Sequence, residues 1–305
     1  MRRLVLLCTL LLAATLLAPP ASAAPLAYVA LGDSYSSGVG TRSYINDGTS
    51  CQRSVYAYPS LIASARGYAL NFRACSGAKV ADVTRTQLGA LRASTSYVTI
   101  SVGGNDAGFS SVLTTCAQPS WASNCNAAID KAQSYIKNTL PGSVRTLYGK
   151  IRSKAPHAKV VVVGYPRIFN GEDCNALTFF SPSQETRLNA TADLLNSKLS
   201  RAATGSGFGY ADPTARFVGH AVCGNPEWVN GLSNPITDSY HPNRNGQSSG
   251  YTPLVAPRLT GTRLTVTSAV LSRARASAPR LATQQRKYAG RDASIEPQPF
   301  KLVRR

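Results

Sequence analysis

Leu26-Ala27-Tyr28-Val29-Ala30-Leu31-Gly32-Asp33-Ser34-Tyr35-Ser36-Ser37-Gly38 opens the body of this 305-residue chain and decides how the rest is read. Leu26 to Leu31 is an unbroken apolar run of strand length, and Gly32 ends it. A serine at that point, with glycines on both sides, leaves a buried strand with its hydroxyl free to face a ligand. Further apolar runs follow at Ala69 to Ala74, Tyr97 to Val102, Lys159 to Gly164 and Phe208 to Ala211. Among them Val160-Val161-Val162-Val163 is β-branched throughout, as expected of a strand covered on both faces. Helical stretches are predicted at Tyr58 to Ala65, Val80 to Arg92, Asn126 to Lys154 and Pro182 to Ala203, the last opened by the capping box Ser181-Pro182-Ser183-Gln184. Strands that alternate with helices imply crossover connections. The expected class is therefore α/β, a three-layer α/β/α sandwich around a central parallel sheet of about five strands. In such sheets ligands bind beyond the carboxyl ends of the strands.

The ends of the chain differ from this body. Arg2 and Arg3 precede an apolar stretch from Leu4 to Leu17, followed by Ala21-Ser22-Ala23. This pattern predicts a secretory signal peptide over residues 1–23, with an apolar core too short to span a membrane, and a secreted, extracellular product. Residues 24–259 then form one domain. Residues 260–305 carry ten basic and two acidic side chains in an Ala-, Ser- and Gln-rich context with few aromatics, in a chain of net charge +19. That composition reads as a basic, flexible C-terminal extension. It lacks the basic-aromatic interleaving of a nucleic-acid binder, so attraction to an anionic membrane or lipid interface, or to cell-wall polymers, is the functional reading, and a spacer is the bland one.

Removing the leader with Cys8 leaves six of the seven cysteines: Cys51, Cys75, Cys116, Cys125, Cys174 and Cys223. An even number in a secreted chain predicts three disulfides, with fifteen possible connectivities. Pairing neighbours, Cys51-Cys75, Cys116-Cys125 and Cys174-Cys223, closes the shortest loops. A metal site is disfavoured, because neither Cys-x-x-Cys nor His-x-x-x-His occurs.

Four short segments carry candidate chemistry, in order: Gly32-Asp33-Ser34, Cys75-Ser76-Gly77, Gly103-Gly104-Asn105-Asp106 and Asp238-Ser239-Tyr240-His241. The first three each follow a predicted strand. As an ordered set they resemble the four sequence blocks of the SGNH/GDSL hydrolases, most closely the secreted lipases and phospholipases A1 of actinomycetes. The resemblance implies a flavodoxin-like SGNH hydrolase fold, the same sequential disulfide pairing, a monomeric enzyme and no metal or organic cofactor. Beyond residue 259 it stops.

A serine hydroxyl needs a base to take its proton during attack. The chain offers His157, His220 and His241. His157 sits in a polar helix-to-strand connection and His220 has no acid nearby in sequence. His241 has Asp238 three residues before it, the arrangement that matches the Asp-x-x-His block. The resemblance makes Asp238 the acceptor that orients the imidazole, and the main-chain carbonyl of Ser239 is a physically reasonable alternative. It also makes the N–H groups of Ser34 and Gly77 and the Asn105 amide the donors of an oxyanion hole. Asp33 and Asp106 read as loop residues that accept backbone hydrogen bonds. Absence of Gly-x-Ser-x-Gly at the nucleophile argues against an α/β-hydrolase elbow.

The implied reaction is hydrolysis of a carboxylic ester through an acyl-enzyme on Ser34. Phe109, Leu113, Phe169, Leu177, Phe179 and Phe180 are candidates for an acyl groove or for loop cores. Similarity to the actinomycete enzymes and the positive charge favour acyl lipids, phospholipid slightly ahead of triacylglycerol. A carbohydrate or small-ester acetylesterase of the same fold, and a non-enzymatic surface-binding protein, are the rival readings.

Overall fold

The computed structural model describes residues 24–302; the signal peptide expected at residues 1–23 lies outside them. Five strands, β1 (Ala27–Gly32), β2 (Ala69–Phe72), β3 (Tyr97–Ser101), β4 (Lys159–Val163) and β5 (Gly209–Ala211), form one sheet in the order β2-β1-β3-β4-β5. Every pairing is parallel. The expected α/β/α sandwich is the one observed, and all five predicted strands are present. Strand β1 lies between β2 and β3, so the loops that follow all three open side by side. That adjacency brings Ser34, Gly77 and Asn105 to one rim.

The sheet is buried on both faces. Val160 to Val163 and Tyr28 to Leu31 are almost fully inaccessible, and they belong to one core with Leu61, Ile62, Leu147, Ile151 and Leu199. Helices Tyr58–Arg66, Cys125–Asn138, Leu140–Lys154, Pro182–Gly205 and Thr252–Thr260 cover it. Helix Pro182–Gly205 opens with the predicted capping box, the Ser181 hydroxyl accepting from Gln184 N–H.

Two helices differ from expectation. The stretch expected as one helix from Asn126 to Lys154 is divided at Thr139, because Pro141 has no N–H to give and is tolerated only in the first turn of a new helix. The stretch from Val80 to Arg92 becomes a short α-turn, a π-turn over Val83–Gln87 and a 3-10 turn over Leu88–Ala90. The wide turn delivers the Gln87 amide to β1, where it accepts from Gly32 N–H at 2.7 Å and donates to Gly32 O at 2.9 Å.

The C-terminal extension, expected to be flexible, is helical and packed. Ser268–Ala276, Ala278–Arg286 and Ala289–Asp292 are helices that bury Val270, Ala274, Leu281, Ala282 and Gln285, while Arg273, Arg275, Arg280, Arg286, Lys287 and Arg291 face solvent. Composition hid this amphipathic division. Electrostatics completes it: the Asp292 carboxylate pairs with Arg53 and Arg73, both at 2.5 Å, and Arg53 also pairs with Asp47 at 2.6 Å. All four side chains are buried, and the Arg73 guanidinium also lies 4.0 Å from the Tyr288 ring centroid. Two cations against two anions leave the cluster neutral, the condition under which buried charges are tolerated.

The six cysteines pair Cys51-Cys75, Cys116-Cys125 and Cys174-Cys223. No helix among the described residues is long and apolar enough to cross a membrane.

Candidate active site

Gly32 allows the chain to turn as it leaves β1. Its φ is +119°, and a Cβ there would lie 2.3 Å from the Ser101 carbonyl oxygen of β3. Asp33 then caps a one-turn helix, Ser34–Ser37, its carboxylate accepting from Tyr35 N–H at 3.1 Å. The same carboxylate accepts from the Ser101 hydroxyl at 2.7 Å and from the Tyr165 hydroxyl, and burial raises its pKa to about 6. Ser34 is thereby held at the first helical position, its hydroxyl directed into the cleft.

His241 reaches Ser34 from a loop more than 200 residues later: Nε2 is 2.9 Å from Ser34 Oγ. Nδ1 is 2.9 Å from the main-chain oxygen of Ser239. Of the two acceptors open at the sequence level, the carbonyl is the one in contact. The Asp238 carboxylate is bonded elsewhere, to the Tyr44 hydroxyl, and its second oxygen has no partner among the described residues. The physical reason lies in the local backbone. A 3-10 turn, Ile236–Asp238, buries the Asp238 side chain, and the extended Ser239 that follows aims its carbonyl at the ring two residues on.

Burial lowers the His241 pKa to about 4, against a smaller upward effect of the Ser239 hydrogen bond, so the imidazole is neutral at pH 7. With Nδ1–H donated to Ser239, Nε2 is the acceptor for the serine proton. The Tyr35 ring lies 5.3 Å from His241, and its hydroxyl donates to the Tyr240 carbonyl at 2.8 Å, so the residue after Ser34 braces the histidine loop.

Asn105 lies in the loop after β3 and lines the same cleft. One hydrogen of its amide goes to the Ala78 carbonyl at 3.1 Å, which ties it to the loop after β2; the other has no partner among the described residues. Gly77, in that neighbouring loop, has φ +81° and is buried. Asp106 accepts from Val80 N–H at 3.1 Å and 3.2 Å, and burial raises its pKa to about 6. The other histidines are outside the cleft: His157 is exposed, and His220 stacks on Trp228 at 3.7 Å.

The cleft wall is apolar. Phe109, Leu113, Leu195, Tyr240 and Phe300 line it around Ser34 and His241. Of the groove candidates, Phe109 and Leu113 are in place. Phe169 and Phe180 pack on one another at 4.8 Å as a loop core, and Leu177 and Phe179 are exposed at 63% and 55%. Sequence reasoning missed Tyr165, Tyr240 and Phe300. Tyr165 follows a strand end and was findable on that ground, whereas Phe300 has no local signal.

A serine hydroxyl bonded to a neutral, oriented imidazole at the carboxyl edge of a parallel sheet defines a serine hydrolase. The chain matches the model of the GDSL-like lipase/acylhydrolase family over residues 30–248, and it belongs to that family. It is 46% identical over 233 residues to a protein named lipase 1 of Streptomyces coelicolor, covering 75% of this chain and 85% of that one. The crystal structure of phospholipase A1 from Streptomyces albidoflavus is 44% identical with a TM-score of 0.73, and 77% of this chain covers all of it. The crystal structure of an extracellular lipase from Streptomyces rimosus is 43% identical with a TM-score of 0.71, covering 75% of this chain and 98% of that one.

Proposed function

We propose that the protein is a secreted hydrolase of acyl lipid esters, of the lipase or phospholipase A1 type. The observation that carries it is the 2.9 Å contact between Ser34 Oγ and His241 Nε2 beside an apolar cleft. Ser34 attacks the ester carbonyl as His241 takes its proton. The resulting imidazolium is stabilised by the Ser239 carbonyl, a neutral acceptor in place of a carboxylate. The tetrahedral oxyanion is met by the Ser34 and Gly77 N–H groups and by the free hydrogen of the Asn105 amide. Collapse expels the alcohol, which takes the proton from His241. Water, deprotonated by the same base, then releases the acid and restores Ser34.

Lipid is favoured as substrate by the apolar cleft wall and by the relatives. The exposed Trp121, Leu177 and Phe179 support contact with a lipid interface. They lie on two loops joined by the Phe179 N–H to Ala117 O bond, 3.2 Å, and each loop is braced by a disulfide. The solvent-facing arginines of the extension support an anionic one. Secretion is supported by the leader pattern and the three disulfides.

Incubation with a mixed-acyl phosphatidylcholine, a triacylglycerol and an acetylated sugar, followed by mass spectrometry of the products, tests the reading. Free fatty acid from either lipid is the expected result. Acetate release alone would transfer the protein to the acetylesterases.

A further inference from the structure

The cleft beside Ser34 is narrow. Its free cavity is small, about 30 Å³, and Phe300 is one of the side chains that bound it. One of its walls is the end of the C-terminal extension, beyond the part of the chain that the family model matches. Asp292, clamped between Arg53 and Arg73, fixes where this segment begins, and Ile295 is buried just after it. The backbone then runs over the loop that carries Gly77. A Cβ on Gly77 would lie 2.4 Å from the Glu296 carbonyl oxygen and 3.0 Å from Pro297 Cα, so only glycine permits the crossing. Lys301 N–H donates to Thr114 Oγ1 at 3.1 Å, which fastens the far side to helix Phe109–Cys116. Between these two fastenings Phe300 points inward, 3% exposed, its ring 4.9 Å from Tyr240 and edge-on to it. Its neighbours in the cleft include Leu113, Leu195, Asn105 and His241.

We propose that residues 295–302 form an intramolecular strap whose Phe300 side chain occupies the acyl-binding slot, so that the strap and the acyl chain of a substrate compete for one site. This rests on the hydrolase reading and adds to it the chemistry of the slot. An unsubstituted, apolar ligand about as wide as a phenyl ring fits among Leu113, Leu195 and Tyr240, and a hydrocarbon chain meets that description. The strap is held at its ends by a salt-bridge cluster and a single hydrogen bond. Its Thr114 end is therefore the weaker fastening and the one that yields. Long acyl chains therefore compete with the strap, whereas an acetyl group is too short to extend into the slot. Phe300 thus determines chain-length specificity: the apparent affinity for a long chain falls by the fraction of molecules in which the strap is open.

The test compares full-length protein with Phe300→Ala and Phe300→Asp, which empty the slot or disfavour its reoccupation. The readout is kcat/KM on nitrophenyl acetate, octanoate and dodecanoate. Both variants are expected to raise the dodecanoate-to-acetate ratio by about tenfold or more. In Ser34→Ala protein, decanoate should accelerate amide hydrogen exchange across residues 296–301, a readout that needs no turnover. An unchanged or lowered chain-length ratio, or exchange at 296–301 indifferent to decanoate, would overturn the proposal. Failure of the hydrolase reading looks different: no wild-type turnover of any ester, with the decanoate response of the strap retained.

Discussion

The two walls of the cleft are made from different material. One is the carboxyl edge of the sheet, where β1 and its neighbours β2 and β3 set down Ser34, Gly77 and Asn105, and a late loop returns His241. The other is the extension, which lies past the family match and is joined to the body through buried charge. The first wall is positioned by sheet register, the same interaction that makes the fold, so it persists wherever the fold does. The second depends on a few side chains and can be disconnected while the sheet stands. The chemistry resides in the durable wall and access to it in the removable one.

Substitutions separate the two. Ser34→Ala should lower turnover by about four orders of magnitude or more with no change in thermal unfolding, as for other activated nucleophiles; hydrolysis of a soluble ester beside a melting curve checks both. Asp292→Ala leaves Arg53 and Arg73 facing one another without their shared anion, and should destabilise by about 3–5 kcal/mol in chemical denaturation. If the extension unfolds separately from the sheet, that loss will appear as a first, smaller transition that leaves soluble-ester activity in place. Asn105→Ala should reduce turnover by about 100- to 1,000-fold with little change in KM if, as proposed, its amide acts only on the developing oxyanion. Asp238→Asn preserves the acceptor for Tyr44 and does not touch the imidazole, so its kcat should stay within about tenfold of wild type; the ten-thousandfold loss typical of a triad acid would restore the carboxylate to the mechanism.

The smallest effect concerns pH. In the proposed role His241 can act as base only when neutral, and its folded pKa is lowered from 6.5 to about 4, so kcat/KM should hold through pH 5 and fall on acidification through about 4. Its contribution to stability has the same direction. The unfolded chain binds this proton first, so the contribution is present above 6.5 and is lost as pH falls towards 4. Asp33, raised from 3.8 to about 6, opposes it, contributing below 3.8 and losing that contribution as pH rises through about 6. A pH profile limited by a group titrating near 6.5 would mean that desolvation does not depress the His241 pKa.

The sheet was legible because strands covered on both faces must be apolar, and Leu26 to Leu31 and Val160 to Val163 are. The place of the candidate site was legible because strand ends and motif order coincide. What escaped depends on contacts that sequence separates. Asp238 stands in the expected place in the motif, but Tyr44, 194 residues away, bonds its carboxylate while Ser239 presents a carbonyl to His241. The extension looked like a solvated polymer because its arginines outnumber its leucines. Its order comes from Val270, Ala274 and Leu281 at helical spacing, and from one acid that meets two buried arginines contributed by the body. No property of residues 260–305 alone reports that Arg53 and Arg73 are waiting.

Labelling with a fluorophosphonate followed by peptide mass spectrometry tests the central claim most directly, because it reads the activated serine itself. A single adduct on the peptide containing Ser34, absent in Ser34→Ala and strongly slowed in His241→Ala, is the predicted result. An adduct on another serine, or labelling of Ser34 at the same rate without His241, would contradict it.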